Sequence, residues 1–202
     1  MSPSAPRLIL ASASPARCAL LRSAGLEPEV IASNVVEDGI GHLSPKDAVK
    51  DLAVRKAQRV AKAPEAHHSV VIGCDSLLEF ENEAWGKPSS PAETRERWKR
   101  MRGKEGLLHT GHCVIDTNGD RVASATDTAL VRFGNPTDVE IERYARTSEA
   151  RAVAGPFTLE GLSSPWIDSI DGNYGTITGI SLPLLRRLLA ELGHELVDFW
   201  HE

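Results

Sequence analysis

Residues 69–74, of sequence SVVIGC, restrict the fold more than any other segment of this chain. The run is short and continuously apolar, without alternation of polar and apolar residues, and it predicts a strand that is buried on both faces. Strands also alternate with helices in the first part of the chain, and together these features predict an α/β protein. Asp75 follows directly, at the carboxyl end of the strand, where α/β folds place their ligand crevices.

Further strand-like runs occur on both sides of this segment. Residues 77–80 form either its continuation or its antiparallel partner. The dipeptide Asn118-Gly119 lies between two long strand-like stretches, which is a strong signal for a β-hairpin. Strands are therefore predicted at residues 8–10, 30–32, 69–74, 107–116 and 121–133.

Helices are predicted where a capping residue precedes a segment of helical periodicity. Three begin at Ser-Pro pairs, because serine caps a helix and proline suits the first helical position. The predicted helices begin at 14–15, 44–45 and 90–91, and two more span 137–145 and 182–192. The second carries an apolar stripe of Val49, Leu52, Ala53, Ala57 and Val60. The sum is an α/β fold with a mixed sheet, in a single domain over residues 1–202.

Charge and cysteine usage exclude several classes of protein. The 23 basic and 28 acidic residues give a net charge of −5, which argues against binding a nucleic acid polymer but allows a small anionic ligand. Cys18, Cys74 and Cys113 lie far apart, so neither a zinc site nor a disulfide framework is predicted. The apolar run near the N terminus is too short for a signal peptide or a membrane span. We expect a soluble, cytoplasmic protein with no membrane partner.

The segment from Ser12 to Arg17 is a candidate phosphate-binding loop. A strand that turns into a helix exposes backbone N–H groups, and these donors and the helix dipole favour an anion. Ser12 and Ser14 add hydroxyl groups, and Arg17 adds a permanent planar cation. The alternative is a capped helix whose serines bind only their own backbone.

Asp75 and Lys56 are the other candidates for chemistry. Asp75 would act as a base or hold a divalent cation, or it would merely cap a turn. Lys56 lies at the edge of the apolar stripe, where a lysine either extends its ammonium to water or meets an anion. Lys87, in a Gly-Lys-Pro turn, and Glu37, in a polar loop, are unremarkable alone. A Ser/His hydrolase is disfavoured because neither loop serine has an identifiable histidine partner.

The order of motifs resembles one family over almost the whole chain. The sequence contains LASASPAR, then Glu37, RKA around Lys56, GCDS around Asp75 and GKP at Lys87. HTG at 109–111, VAGPFTLEG at 153–161 and GISLPLL at 179–185 come after them. In this arrangement the chain resembles the Maf family of nucleoside triphosphate pyrophosphatases, also called septum formation inhibitor proteins.

The resemblance implies an inosine-triphosphate-pyrophosphatase-like (Maf/Ham1) fold, with an elongated sheet, flanking helices and two lobes around a cleft. It implies cleavage between the α- and β-phosphates with a divalent metal, Mg²⁺ or Mn²⁺, in a homodimer. Asp75 then corresponds to the proton acceptor, and Glu37 shares the metal with it. The remaining matched polar positions are Lys56, Lys87, Ser12, Ser14 and Arg17.

Some positions depart from the family pattern. Ala16 stands where an arginine is common, Ser76 where threonine follows the aspartate, and Glu160 where glutamine is usual. These three correspond to positions linked to substrate choice, so a preference for dTTP and UTP does not carry over. A different or modified base is the expectation, because Glu160 accepts from a base N–H where glutamine also donates. Val153 and Gly106 replace a lysine and a histidine.

The sequence thus predicts an enzyme that hydrolyses a nucleoside triphosphate to the monophosphate and diphosphate, and that clears non-standard nucleotides. The alternative is a nucleotide-binding regulator of cell division with little turnover, which the altered substrate-choice positions would suit.

Overall fold

The computed structural model describes residues 6–200, which form a mixed α/β structure. Its strands are β1 (Arg7–Leu10), β2 (Glu29–Val30), β3 (Ser69–Phe80), β4 (Glu83–Trp85), β5 (Glu105–Asp116), β6 (Arg121–Phe133) and β7 (Ile167–Asp171). Its α-helices are α1 (Pro15–Ser23), α2 (Pro45–Ala61), α3 (Pro91–Met101), α4 (Asp138–Ala145), α5 (Tyr174–Thr178) and α6 (Leu182–Glu191). The prediction of an α/β fold with a mixed sheet is confirmed.

The strands pair in the order β2-β1-β3-β5-β6-β7, with β4 attached to β3. Strand β1 is parallel to both β2 and β3, whereas β4 and β7 are antiparallel to their partners. The neighbours β5 and β6 are joined by the turn at 117–120, a connection short enough only for an antiparallel hairpin. The parallel part therefore brings the carboxyl ends of β1 and β2 to the same edge of the sheet.

The described chain divides into two compact units. The first contains the residues up to Asp75, Thr110–Asp127 and the residues from Gly179 onward; the second contains Ser76–His109 and Thr128–Thr178. The first has an apolar core beneath α1 and α6 and another beneath α2. The second is built around Trp98, which packs edge-on against Phe133, Tyr144 and Trp166. The single-domain description over residues 1–202 stays a prediction.

Serine caps begin the helices where the sequence predicts them. Ser14, Ser44 and Ser90 each accept a hydrogen bond from the backbone amide three residues later, and proline follows each of them. Thr137 and Glu140 form a complete capping box at α4. These local bonds satisfy amides that a helix leaves unpaired at its start.

The structure refines the predicted strands. Residues 77–80 continue β3, which is one of the two predicted alternatives, and the antiparallel partner is the short strand β4. The second strand covers Glu29–Val30 instead of 30–32. Strand β7 and helix α5 were not predicted. Strand β7 lies at the end of the sheet and is mostly exposed, so it lacks the apolar signal of an inner strand.

Two glycines allow α2 to lie directly on the sheet. A Cβ atom at Gly73 would approach the carbonyl oxygen of Ala53 to 2.3 Å, and one at Gly111 would approach that of Val49 to 2.1 Å. Both distances are far below van der Waals contact, so only glycine fits against the helix backbone at these positions. The close approach fixes the height of α2 above β3 and β5, and with it the position of every side chain on the inner face of the helix.

The three cysteines are free and buried. Burial raises the pKa of Cys74 to about 11 and that of Cys113 to about 12, so both are neutral thiols at physiological pH. Among residues 6–200, no helix is long and apolar enough to cross a membrane.

Candidate active site

Asp75, Lys56 and Glu37 form a charged cluster in the first unit. Lys56 Nζ lies 2.5 Å from Asp75 Oδ1 and 2.6 Å from Glu37 Oε1. Asp75 is on β3, two residues beyond Gly73, and Lys56 is on the part of α2 that lies on Gly73. The lysine therefore contacts anions. Of the two predicted alternatives, it does not extend its ammonium to water.

The three members of this cluster differ in exposure. The side chains of Asp75 and Lys56 are 10% and 12% exposed, whereas that of Glu37 is 54% exposed. Burial raises the pKa of the Asp75 carboxyl, and the positive charges of Lys56 and Arg17 act in the opposite direction. A carboxylate with a raised pKa is a better proton acceptor than an exposed one, because its basicity lies closer to neutral pH.

Arg17 is held on three sides beside Asp75. Its Nη1 donates to Cys74 O and to Ser12 Oγ, both at 3.0 Å, and its Nε donates to Gly179 O at 2.8 Å. The guanidinium thus contacts the carbonyl group immediately before Asp75. A guanidinium held in this way presents a planar, permanent positive charge that suits phosphate oxygens.

The serines of the loop before α1 act as hydrogen-bond acceptors. Ser14 Oγ accepts from Arg17 N at 3.4 Å, and Ser12 Oγ accepts from Ser14 N at 3.2 Å. Ser14 therefore caps α1, as the plainer alternative for this segment predicts. Accepting does not use the hydroxyl protons, so both serines remain able to donate to a phosphate oxygen.

Gly179 and His112 were not among the predicted site residues. Gly179 has a φ of +109°, and a Cβ there would lie 2.8 Å from Arg17 Nε, so its carbonyl reaches Arg17 because it is a glycine. His112 is fully buried, and its Nε2 accepts from Ser181 N at 2.8 Å. A sequence does not show which backbone carbonyls accept hydrogen bonds. The only available signal was therefore the glycine in the GISLPLL motif.

Comparison with protein families shows which family contains this chain. Residues 7–192 match the profile of the family described as Maf-like protein. The chain belongs to the Maf-like protein family. The resemblance inferred from the motif order is thereby confirmed.

Relatives of the Maf-like chain are similar over nearly their whole length. It is 53% identical over 194 residues to the nucleoside triphosphate pyrophosphatase of Streptomyces coelicolor, covering 96% of this chain and 94% of that protein. It is 46% identical over 195 residues to the protein of the same name from Synechococcus elongatus, covering 96% and 98%.

A solved structure, the nucleoside-triphosphatase / dITP/XTP pyrophosphatase from Mycobacterium abscessus, matches with a TM-score of 0.38 and 14% sequence identity. That match covers 63% of this chain and 72% of the other. A likeness of this size supports no conclusion about the activity of the Maf-like chain.

Four further predicted site residues of the Maf-like chain do not belong to the charged cluster. Ala16 is in the first turn of α1, and Ser76 follows Asp75 on β3; both are partly buried. Lys87 and Glu160 belong to the second unit, where both are exposed. Glu160 accepts a hydrogen bond from the hydroxyl of Tyr174, which fixes the direction of its carboxylate.

The carboxylates of the cluster suit a hard divalent cation. No group of three or more histidine, cysteine, aspartate or glutamate side chains within residues 6–200 is arranged to hold a metal. Asp75 and Glu37 offer two carboxylates, and Mg²⁺ commonly binds through one or two carboxylates together with substrate phosphates. Asp75 and Glu37 are thus the residues that could hold Mg²⁺ or Mn²⁺ brought with a phosphate ligand.

Unfolding experiments across pH test the state of His112. Burial, with a smaller contribution from the charge of Arg17, lowers the pKa of His112 to about 4. Unfolded histidine takes up a proton below its ordinary pKa of about 6.5, so the unfolded state binds more protons than the folded state between these values. Stability is expected to fall by about 1.4 kcal/mol per pH unit as the pH drops from about 6.5 to about 4.

Urea titrations at pH 7 and pH 5 measure this loss. His112→Gln cannot titrate, so the difference between native and variant protein isolates the histidine from all other groups. The native protein is expected to lose about 2 kcal/mol more than the variant over this interval. Equal losses in both proteins would show that His112 is not buried in its neutral form.

Proposed function

We propose that this Maf-like chain is a nucleoside triphosphate pyrophosphatase, which hydrolyses a nucleoside 5′-triphosphate to the monophosphate and diphosphate. The observation that carries the proposal is the buried carboxylate of Asp75, which contacts the ammonium of Lys56 and follows Cys74, whose carbonyl accepts from the guanidinium of Arg17. A base flanked by cations suits attack by water on an anionic phosphorus centre. The names of the relatives from Streptomyces and Synechococcus support the same activity.

In this mechanism Arg17 and the loop before α1 bind the phosphate chain. The N–H groups at the start of α1 and the hydroxyls of Ser12 and Ser14 provide hydrogen-bond donors, and the Arg17 guanidinium provides positive charge. Lys56 stabilises charge on the reacting phosphate, and we propose Lys87 as a further cation for the leaving diphosphate. Positioning and charge neutralisation would then provide most of the rate acceleration.

Asp75 is proposed as the proton acceptor. It takes one proton from the attacking water as the new P–O bond forms and the bond between the α-phosphorus and the bridging oxygen breaks. The carboxylate faces Lys56 in the ground state, so the lysine holds Asp75 in one orientation. The raised pKa of Asp75 favours this proton transfer over one to an exposed carboxylate.

A divalent cation is part of the proposal, held by Asp75 and Glu37 together with substrate oxygens. When bound, such an ion neutralises phosphate charge and lowers the pKa of a coordinated water. We also propose a cytoplasmic homodimer. Its cellular location is supported by three free, buried thiols and its oligomeric state by the family resemblance.

The preferred base is proposed to depend on Ala16, Ser76 and Glu160. The bond from Tyr174 leaves the Glu160 carboxylate an acceptor, which suits a base that presents an N–H group. Glu160 would thereby distinguish a modified nucleotide from the common nucleotides.

A substrate panel tests the proposed function. The purified protein is incubated with Mg²⁺ or Mn²⁺ and with common, methylated and halogenated nucleoside triphosphates, and the products are separated. We expect diphosphate and monophosphate in equal amounts from at least one triphosphate. Nucleoside diphosphate with orthophosphate would indicate cleavage at the wrong bond. Tight binding without any product would favour a regulator instead.

A further inference from the structure

His112 lies in the first unit with both ring nitrogens bonded to backbone. Its Nδ1 lies 3.0 Å from Thr110 O, and its Nε2 lies 2.8 Å from Ser181 N. A carbonyl only accepts and an amide only donates, so Nδ1 carries the proton and Nε2 provides the lone pair. Thr110, His112 and Ser181 are all buried, which makes an unpaired group here costly.

Ser181 ends a short segment that reaches Arg17. Its hydroxyl accepts from Leu184 N at 3.4 Å and caps α6, while its amide is held by His112. Two residues earlier, Gly179 O accepts from Arg17 Nε at 2.8 Å. Ile180, between them, is fully buried in the core beneath α1 and α6. The segment 179–181 is thus fixed at one end by His112 and bonded at the other to Arg17.

We infer that His112 is a positioning residue for Arg17, acting through the amide of Ser181 and the carbonyl of Gly179. The inference rests on the proposed function, in which Arg17 binds phosphate. His112 itself is too deeply buried to touch a substrate. Its loss would leave the Ser181 amide without its acceptor and release the segment, so the Gly179 carbonyl would no longer set the plane of the guanidinium.

The competing explanation is that His112 only stabilises the fold. In that case its replacement lowers the melting temperature and leaves the affinity for phosphate unchanged. A positioning role makes a different prediction, because His112 would then act only through Arg17. Its effect must therefore appear in phosphate binding and must vanish when Arg17 is absent.

The experiment measures binding of inorganic triphosphate by calorimetry to the full-length protein and its variants. His112→Leu removes the acceptor, whereas His112→Gln retains an acceptor oxygen. Arg17→Ala and the double variant Arg17→Ala/His112→Leu complete a double-mutant cycle. The matched control is His109→Leu, on the same strand, which removes a buried histidine bonded to Glu79 and Thr128 in the second unit.

We expect His112→Leu to weaken triphosphate binding by about 10-fold or more, since small displacements of a positioned group have effects of this order. His112→Gln and His109→Leu are expected to stay within about twofold of the native protein. The double variant is expected to bind no more weakly than Arg17→Ala alone. Melting temperatures of all variants are recorded to confirm that each is folded.

Three results would overturn the inference. The first is a folded His112→Leu protein, or a folded His112→Ala protein if the leucine variant does not fold, that loses stability but keeps native affinity. The second is a further loss of affinity when His112→Leu is added to Arg17→Ala. The third is native affinity in Arg17→Ala. The third would also remove Arg17 from the proposed phosphate site. The proposed activity is tested separately by the substrate panel, and it fails if the native protein releases no diphosphate from any triphosphate.

Discussion

Asp75→Asn is expected to reduce diphosphate release by about 10³-fold, the loss usual for a general base. Asparagine has the same shape but cannot take a proton from water. The fold should survive for two reasons. Burial already disfavours the charged form of Asp75. Lys56 also retains Glu37 as a partner. The measurement is the rate of diphosphate release with the best triphosphate of the panel.

A neighbouring aspartate provides the control for charge. Asp38→Asn also removes one negative charge, beside Glu37, but at an exposed position whose backbone carbonyl accepts from Arg55. This variant is expected to keep native activity within about twofold. Native rates in a folded Asp75→Asn protein would remove Asp75 from the chemical step, and equal losses in both variants would indicate a general effect of charge.

The second large effect concerns the packing of α2. Gly111→Ala is expected to destabilise the protein by about 3 kcal/mol or more, because the added carbon would lie 2.1 Å from the carbonyl oxygen of Val49. Backbone cannot rotate away as a side chain can, so the helix itself must move. For a protein of this size the melting temperature should fall by about 6–12 °C.

Activity should fall together with stability in this variant. Lys56 lies on the displaced helix, and its contact with Asp75 depends on the height of α2 above the sheet. Gly41→Ala is the matched control, since its added carbon meets no atom within 4 Å. It should change the unfolding free energy by less than about 0.5 kcal/mol. An unchanged melting temperature for Gly111→Ala would mean that the helix does not rest on β5 as described.

Some parts of the site are predictable because they derive from periodicity. The apolar stripe of α2 places Lys56 at its inner edge, and the buried run 69–74 places Asp75 at a strand end on the sheet beneath. Both predictions rest on side-chain spacing, which regular elements convert directly into position. The capped starts of α1, α2 and α3 are predicted in the same way from Ser-Pro pairs.

The rest depends on contacts between segments that are distant along the chain. Glu37 lies outside any helix or strand, 19 residues before Lys56, and no repeat indicates that the two meet. The acceptors of Arg17 include the backbone carbonyls of Cys74 and Gly179, and every residue has a carbonyl. The roles of Lys87, Ser76 and Glu160 remain proposals, since they concern a ligand rather than the chain.

The buried thiols allow the opening of this protein to be measured. Cys74 precedes Asp75, and Cys113 lies on β5 two residues beyond Gly111, so each marks the sheet on which the charged cluster is built. Because burial keeps both protonated, a thiol reagent reacts only with molecules whose sheet has become accessible. The labelling rate of each cysteine, measured by mass spectrometry, therefore reports how often that part of the molecule opens, and a bound nucleotide should slow it.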